Sequence, residues 1–230
     1  MDESELWQTV RRLGEKSEGR TIVDVGAYLG ATSAWFLRNF PRAHVYPFEP
    51  DPRSYDRLRG NVEGVARAHP SDVALSSAKG EAVFNLGTQG FISSLYSREE
   101  ERRRYYRRDF TMVDRVPVKT DTLDNLFHEM TIDVLKLDTQ GAELDILRGG
   151  EGLLKRGAVS IIVTEFFFIQ HYAGVPLLDS VWSYLRQFGY EIYNLFKGSQ
   201  AANGQIRYGD AIFVSPGFRH TVIDAVPDEE

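Results

Sequence analysis

The 230-residue chain has no cysteine, which excludes a disulfide framework, a thiolate zinc site and a cysteine nucleophile. Its five histidines are scattered without a metal-motif spacing. No long apolar run free of charge occurs, so no membrane span is expected. The low hydrophobicity and high net charge of a disordered chain are missing too, since 42% of residues are apolar and 26% charged. Nor is there an excess of base: 27 Lys and Arg face 33 Asp and Glu, a formal charge of −6. That balance argues against bulk electrostatic binding to nucleic acid or to an anionic membrane. The first residues, MDESELWQTV, lack a basic region followed by an apolar core, so no signal peptide is indicated and a cytoplasmic location is expected. No repeat and no Pro/Gly/Ser linker divides the chain, so residues 1–230 are expected to form one domain, with homo-oligomerisation left open.

What is present is an alternation of short β-branched runs with longer amphipathic stretches, the pattern of an α/β protein. Strands are expected at Thr21 to Val25, Ala43 to Phe48, Val73 to Leu75, Glu81 to Leu86, Val116 to Lys119, Ile132 to Leu137, Ala158 to Thr164, Glu191 to Leu195 and Ala211 to Val214. Helices are expected at Gly30 to Asn39, Ser54 to Asn61, Thr122 to Glu129, Glu143 to Leu154 and Leu178 to Phe188, the fourth weakened by Gly149-Gly150. Residues 1–19 read as an N-terminal helical extension, 88–115 as an Arg-rich insert and 217–230 as a polar tail. Such an order implies a mostly parallel sheet covered by helices on both faces.

In an open parallel sheet, ligands bind beyond the carboxyl ends of the strands. The first strand delivers Asp24-Val25-Gly26-Ala27-Tyr28-Leu29-Gly30, where Gly26 permits a tight turn and Gly30 close helix packing. A dinucleotide fingerprint would need glycines where Tyr28 and Ala31 stand. The turn therefore suits a ligand with a ribose and no diphosphate. Glu49, 23 positions after Gly26 and followed by Pro50, is placed to accept both ribose hydroxyls. Asp72, beside Val73, offers an acceptor for an exocyclic amine, and Ser94 a hydrogen bond from the following loop. With Asp138 and Glu165, the carboxylates Asp24, Glu49 and Asp72 are expected at five successive strand ends, an acidic crescent suited to an amino group, ribose hydroxyls and a sulfonium.

The turn Asp24 to Gly30, Phe48-Glu49-Pro50, Ala74-Leu75-Ser76, Val118 with Thr122-Leu123-Asp124, and above all Lys136-Leu137-Asp138-Thr139-Gln140-Gly141-Ala142-Glu143 with Leu147 and Gly149 resemble the FkbM family. The resemblance runs from Thr21 to Leu195. It implies a class I methyltransferase Rossmann-like fold, with a seven-stranded sheet and a reversed last strand. It also implies S-adenosyl-L-methionine lying across the first strand ends, and methyl transfer to a hydroxyl of a small molecule, sugar or natural product, leaving S-adenosyl-L-homocysteine. Tyr28 departs from the family, where a small polar residue is frequent, and so does the Arg-rich insert.

Transfer from a sulfonium is an in-line displacement assisted by positioning, and an alcohol acceptor must also lose a proton. Asp138 is expected nearest the methyl, His171 is the candidate general base, and Glu165 either positions the acceptor or joins Asp138 in half a divalent metal site. Phe166-Phe167-Phe168 follows where a metal enzyme would supply another acid or amide, so no metal is expected to be required. Each residue also has a plainer reading: Asp138 as a helix cap, Glu143 as a first-turn carboxylate, His171 as a solvated loop residue. Arg98 to Arg108 reads either as an exposed helix laced with ion pairs or as a lid over the acceptor. An NAD(P)-dependent oxidoreductase would need the missing glycines. A base-methylating enzyme would carry an N/D-P-P-aromatic element where Asp138-Thr139-Gln140-Gly141 stands, and a non-catalytic donor-binding protein would share the motifs.

Overall fold

A computed structural model describes residues 4–17, 19–97 and 111–226. The stretch Arg98 to Arg108, expected as an exposed helix or lid, lies outside the described residues.

Nine strands are described: β1 (Thr21–Val25), β2 (His44–Phe48), β3 (Ala74–Leu75), β4 (Gly80–Gly87), β5 (Met112–Asp121), β6 (Ile132–Leu137), β7 (Val159–Phe167), β8 (Glu191–Gln200) and β9 (Ile206–Val214). The helices are α1 (Glu5–Lys16), α2 (Ala31–Asn39), α3 (Pro52–Asn61), α4 (Leu123–Phe127), α5 (Glu143–Arg148), α6 (Glu151–Lys155) and α7 (Leu178–Arg186). The main sheet runs β2-β1-β6-β7-β9-β8. Its β2, β1, β6 and β7 are parallel, whereas β9 is antiparallel to both β7 and β8. The expected reversal of the last strand is therefore present.

The third strand lies elsewhere than expected. Residues 67–71 run beside β2 through the parallel bridges Val45↔Ala68 and Phe48↔Ser71 and occupy a seventh position in the sheet. Pro70, which has no N–H, falls inside this stretch, and proline cannot sustain a ladder. Ala74–Leu75 instead joins β5 in a separate side sheet of order β3-β5-β4. Its apolar face gathers Ala74, Phe84, Leu86 and Val118.

Alternation along the central strands divides the core in two. On one face Val23, Val25, Leu135, Leu137 and Ile162 pack with Leu144, Leu147 and Leu185. On the other, Ile22, Val134, Ile161 and Val163 pack with Val10, Leu13, Phe36 and Phe40. Each such side chain contributes roughly 1.5–3 kcal/mol by leaving water. The N-terminal helix is thus part of the core, since Gly14 lets α1 close onto the Phe40 ring, 2.8 Å from where a Cβ would stand.

Two further boundaries shift for local reasons. The helix expected at 143–154 is two helices, α5 and α6, because Gly149 packs where a Cβ would come within 2.1 Å of the Ser76 carbonyl oxygen. Asp124 then caps α6 by accepting from the N–H groups of Gly152 and Leu153. The expected polar tail is helical at Pro216–Phe218 and Arg219–Ile223, with Phe218 buried and Val222 and Ile223 against the second core. Among the described residues no helix is long and apolar enough to cross a membrane.

Candidate active site

The parallel strands β2, β1 and β6 end side by side. Gly26 leaves β1 with φ of 74°, and a Cβ there would stand 1.8 Å from the carbonyl oxygen of Asp138. Only glycine allows this contact, which presses the loop after β1 against the loop after β6. The N–H groups of Gly26 and Ala27 both donate to the Phe48 carbonyl, binding the same turn to β2.

Beneath the turn lies a buried ion pair. Asp24 and Lys136 are register partners on β1 and β6. Asp24 is 0% exposed; its Oδ2 accepts from Ser33 Oγ at 2.6 Å, and its Oδ1 lies 3.0 Å from Lys136 Nζ. The Oδ1 contact is one of charge rather than a directed hydrogen bond, for the Lys136 ammonium donates to the carbonyls of Gly26 at 3.0 Å and Val25 at 3.3 Å. Burial pushes the Lys136 pKa down, but Asp24 and Asp138 outweigh it and hold the pKa above its ordinary value.

Glu49 is fixed by backbone. Its Oε2 accepts from the N–H of Tyr28 and its Oε1 from that of Asp51, each at 2.8 Å. Burial nevertheless raises its pKa to about 7, against the lowering effect of those two bonds. A carboxylate has about four acceptor sites, so two remain for a ligand's hydroxyls. Asp51 caps α3 by accepting from the Arg53 N–H, pairs with the Arg53 guanidinium and accepts from Ser93 Oγ at 3.1 Å. This brings the loop 90–94 over the cavity.

The loop after β6 is tied just as closely. Glu143 Oε1 accepts from the N–H groups of Thr139 and Gly141 and from Thr139 Oγ1. Gln140 Nε2 donates to Glu165 Oε2 at 2.9 Å and to Asp138 Oδ1 at 3.2 Å. Tyr28 and Gln140, with φ of 52° and 58°, are the non-glycine residues of positive φ among those described. Both line the cavity, and such strain, of order 1–3 kcal/mol each, collects at functional sites.

The cavity itself measures about 210 Å³. Gly26, Ala27, Tyr28, Glu49, Pro50 and Asp138 line it, with Phe84, Phe91, Ser93, Lys136 and Gln140. Tyr28 and Phe91 meet edge to face across the mouth, centroids 6.2 Å apart. A small apolar slot formed by Val73, Leu75, Leu95 and Ala142 adjoins it and shares Gly26, Pro50, Phe84 and Thr139. The cavity thus offers a carboxylate for hydroxyls, an apolar slot for a flat ring, and at its far end the half-exposed Asp138 for a cationic group. Those features fit a nucleoside carrying a positive charge.

Several expected residues stand elsewhere. Asp24 is a buried ion-pair partner below the turn, so four carboxylates rather than five lie toward the sheet edge. Gly30 has φ of 84° and no Cβ because Leu58 fills that space; it packs α2 rather than contacting the cavity. Ser94 is buried and its Oγ donates to the Gln140 carbonyl at 2.8 Å, so it braces the loop. Asp72 is exposed and follows the 67–71 segment, outside the cavity lining. His171 is 5% exposed and packs between Phe167 and Tyr208, centroids 5.0 and 5.6 Å away, and is not brought to the cavity wall.

Glu165 stands behind Gln140. Burial, then the charges of Asp138, Glu143 and Asp210, raise its pKa well above the carboxylate range, against Lys136. Asp210, its register partner on β9, is raised to about 6 by burial and Asp138. Among the described residues no group of three or more His, Cys, Asp and Glu is arranged to hold a metal ion. The position between Asp138 and Glu165 is taken by the Gln140 amide, a hydrogen-bond donor.

Sequence reasoning quoted Lys136 and Gln140 within the family motif without giving either a role, and it gave none to Phe91 or Asp210. Lys136 had a signal, being the one cation in the apolar run Ile132–Leu137. Asp210 had none, because its neighbours come from a distant strand.

The chain matches the Methyltransferase FkbM domain over residues 24–192. It is 28% identical over 175 residues to 2-O-methyltransferase NoeI of Sinorhizobium fredii, covering 73% of this chain and 71% of that protein. It is 29% identical over 153 residues to Methyltransferase sdnD of Sordaria araneosa, covering 56% of this chain and 59% of that protein. Among solved structures, magnesium protoporphyrin IX methyltransferase of Synechocystis PCC 6803, with bound SAM, aligns at TM-score 0.52 and 11% identity, covering 91% of this chain and 77% of that one. That likeness is one of fold.

Proposed function

This chain belongs to the FkbM methyltransferase family and is an S-adenosylmethionine-dependent methyltransferase, and on that premise we propose that it methylates a hydroxyl of a small molecule, sugar or natural product. The observation that carries the reading is the pairing, in one cavity, of the backbone-held Glu49 with Asp138 at opposite ends of the Gly26 turn.

The donor supplies a methyl on a sulfonium: as the acceptor oxygen bonds to that carbon, the carbon–sulfur bond breaks and its electron pair stays on sulfur. Glu49 accepts the ribose hydroxyls, while Pro50, Val73 and Phe84 flank the base. Asp138 faces the donor's amino group or the acceptor hydroxyl. The acceptor's proton passes to a carboxylate oxygen of Asp138, backed by Glu165, in preference to His171, whose ring is enclosed by Phe167 and Tyr208. Tyr28 and Phe91 exclude water from one side of the reaction. The reading is completed by a small-molecule or glycan acceptor, with neither nucleic acid nor membrane as substrate, in the cytoplasm.

Calorimetry with S-adenosylhomocysteine tests the donor half, and mass spectrometry of methyl-labelled products over a panel of sugars and polyols tests the transfer. Tight binding with labelled ether products is expected. Binding without product from any hydroxylated acceptor would favour a donor-binding protein, and absence of binding would overturn the reading.

A further inference from the structure

We propose that Gln140 is a positioning residue that joins Asp138 and Glu165 into one proton-accepting unit, and that Tyr172 sets the direction of its amide. The inference rests on the methyl-transfer reading and deepens it, since it assigns how the acceptor's proton is received.

The geometry is specific. An amide nitrogen has two hydrogens, and those of Gln140 Nε2 go to two carboxylates, Glu165 on β7 and Asp138 in the loop just after β6. Its Oε1 accepts from the Tyr172 hydroxyl at 2.8 Å. Tyr172 is 0% exposed and lies with Phe167 and Val175 in a small core of its own, so the hydroxyl that orients the amide is fixed by packing. With both amide hydrogens turned to the acids, Oε1 is left to face the Tyr172 hydroxyl, which also lies 3.2 Å from the Ile92 carbonyl oxygen.

The rest of the loop serves the same placement. Ser94 Oγ donates to the Gln140 carbonyl, Glu143 accepts from the N–H groups on either side of the residue, and its own backbone is left-handed. Gly141 has no side chain because Val175 occupies that space, 2.1 Å from a notional Cβ. Ser94, Glu143 and Val175 thus hold the loop around one glutamine in a conformation that costs energy, which makes sense where the amide must meet two acids at once.

The groups facing Glu165 are Asp138 and Lys136 from β6 and its loop, Glu143 from α5 and Asp210 from β9, so three of its four charged neighbours oppose ionisation. The Gln140 donor favours the ionised form. A proton arriving on Asp138 removes one of the charges that oppose the ionisation of Glu165.

Gln140→Asn keeps an amide and a residue type that tolerates a left-handed backbone, but is one methylene too short for both contacts. Tyr172→Phe keeps the ring and removes the orienting hydroxyl. Two readouts are needed: the carboxyl titration of Glu165 in the free protein, by NMR on 13C-labelled glutamate with Glu165→Gln for assignment, and the acid limb of the pH–rate profile. In Gln140→Asn both are expected to move to higher pH by about one unit, the equivalent of one charge-assisted hydrogen bond, and in Tyr172→Phe by less. An unmoved Glu165 titration would overturn the proposal, and so would a moved titration with an unmoved acid limb. Failure of the methyl-transfer reading shows separately, as no turnover by the unaltered protein at any pH.

Discussion

The two halves of the cavity are built by different means. On the β1–β2 side the ligand-facing carboxylate, Glu49, is held by two backbone N–H groups, and the turn beside it by a glycine and an ion pair. On the β6–β7–β9 side the corresponding groups are side chains held by side chains: Asp138 and Glu165 by Gln140, and Gln140 by Tyr172. The first half is a rigid receptor whose shape follows from main-chain geometry. The second is a polar network in which each group depends on the charge of the others.

The largest expected effect is on the element common to both halves. Lys136→Met leaves Asp24 buried without its cation and should destabilise the protein by about 3–5 kcal/mol, read as a lowered urea midpoint. A change under about 1 kcal/mol would mean that the pair does not hold the halves together.

Glu49→Gln should break the first half alone. It removes a charged acceptor from the ribose position, which should weaken S-adenosylhomocysteine binding by about ten- to a hundredfold while leaving the acceptor KM in place. Equal losses on both sides would erase the distinction.

A smaller effect separates the halves by pH. Glu49 and Asp210 have folded pKa values of about 7 and about 6, above their ordinary 4.5 and 3.8. The folded protein therefore binds more protons than the unfolded chain between those values. The stability they contribute is complete below about pH 4 and declines as pH rises through 6 and 7. Melting of the ligand-free protein should fall from pH 5 to pH 8; Glu49→Gln should flatten the upper part of that decline and Asp210→Asn the lower.

The smallest effect concerns a residue outside both halves. His171→Phe keeps a ring among Phe167 and Tyr208, should cost less than about 1.5 kcal/mol, and should leave the pH–rate profile where it was. A lost acid limb would restore His171 as the base.

The same contrast decides what could be read from the chain. Gly26 and Glu49 were legible because a strand, a tight turn and an acid at the next strand end are local features with fixed spacing. The Asp138–Glu143 loop was legible for the same reason; Glu143 stands in the first turn of α5 as expected, but its bonds to the Thr139 and Gly141 N–H groups were not foreseen. Asp24 was misjudged because its neighbour Lys136 lies 112 positions away, and only sheet register brings them together. His171 was misjudged in the opposite sense: its loop folds back into an aromatic cluster that no local pattern announces. The third strand was displaced because Pro70 weakens the segment that occupies its place.

The absent side chain at Gly26 has a last consequence, for engineering. With the Asp138 carbonyl oxygen in the space a Cβ would need, the separation between the donor's cradle and the proton-accepting acids is set by two abutting backbones and is independent of the loops around them. Acceptor preference should therefore be a replaceable module. Chimaeras that exchange the surrounding loops among relatives can retune the substrate, provided residues 26 and 138–141 are inherited together as one indivisible joint.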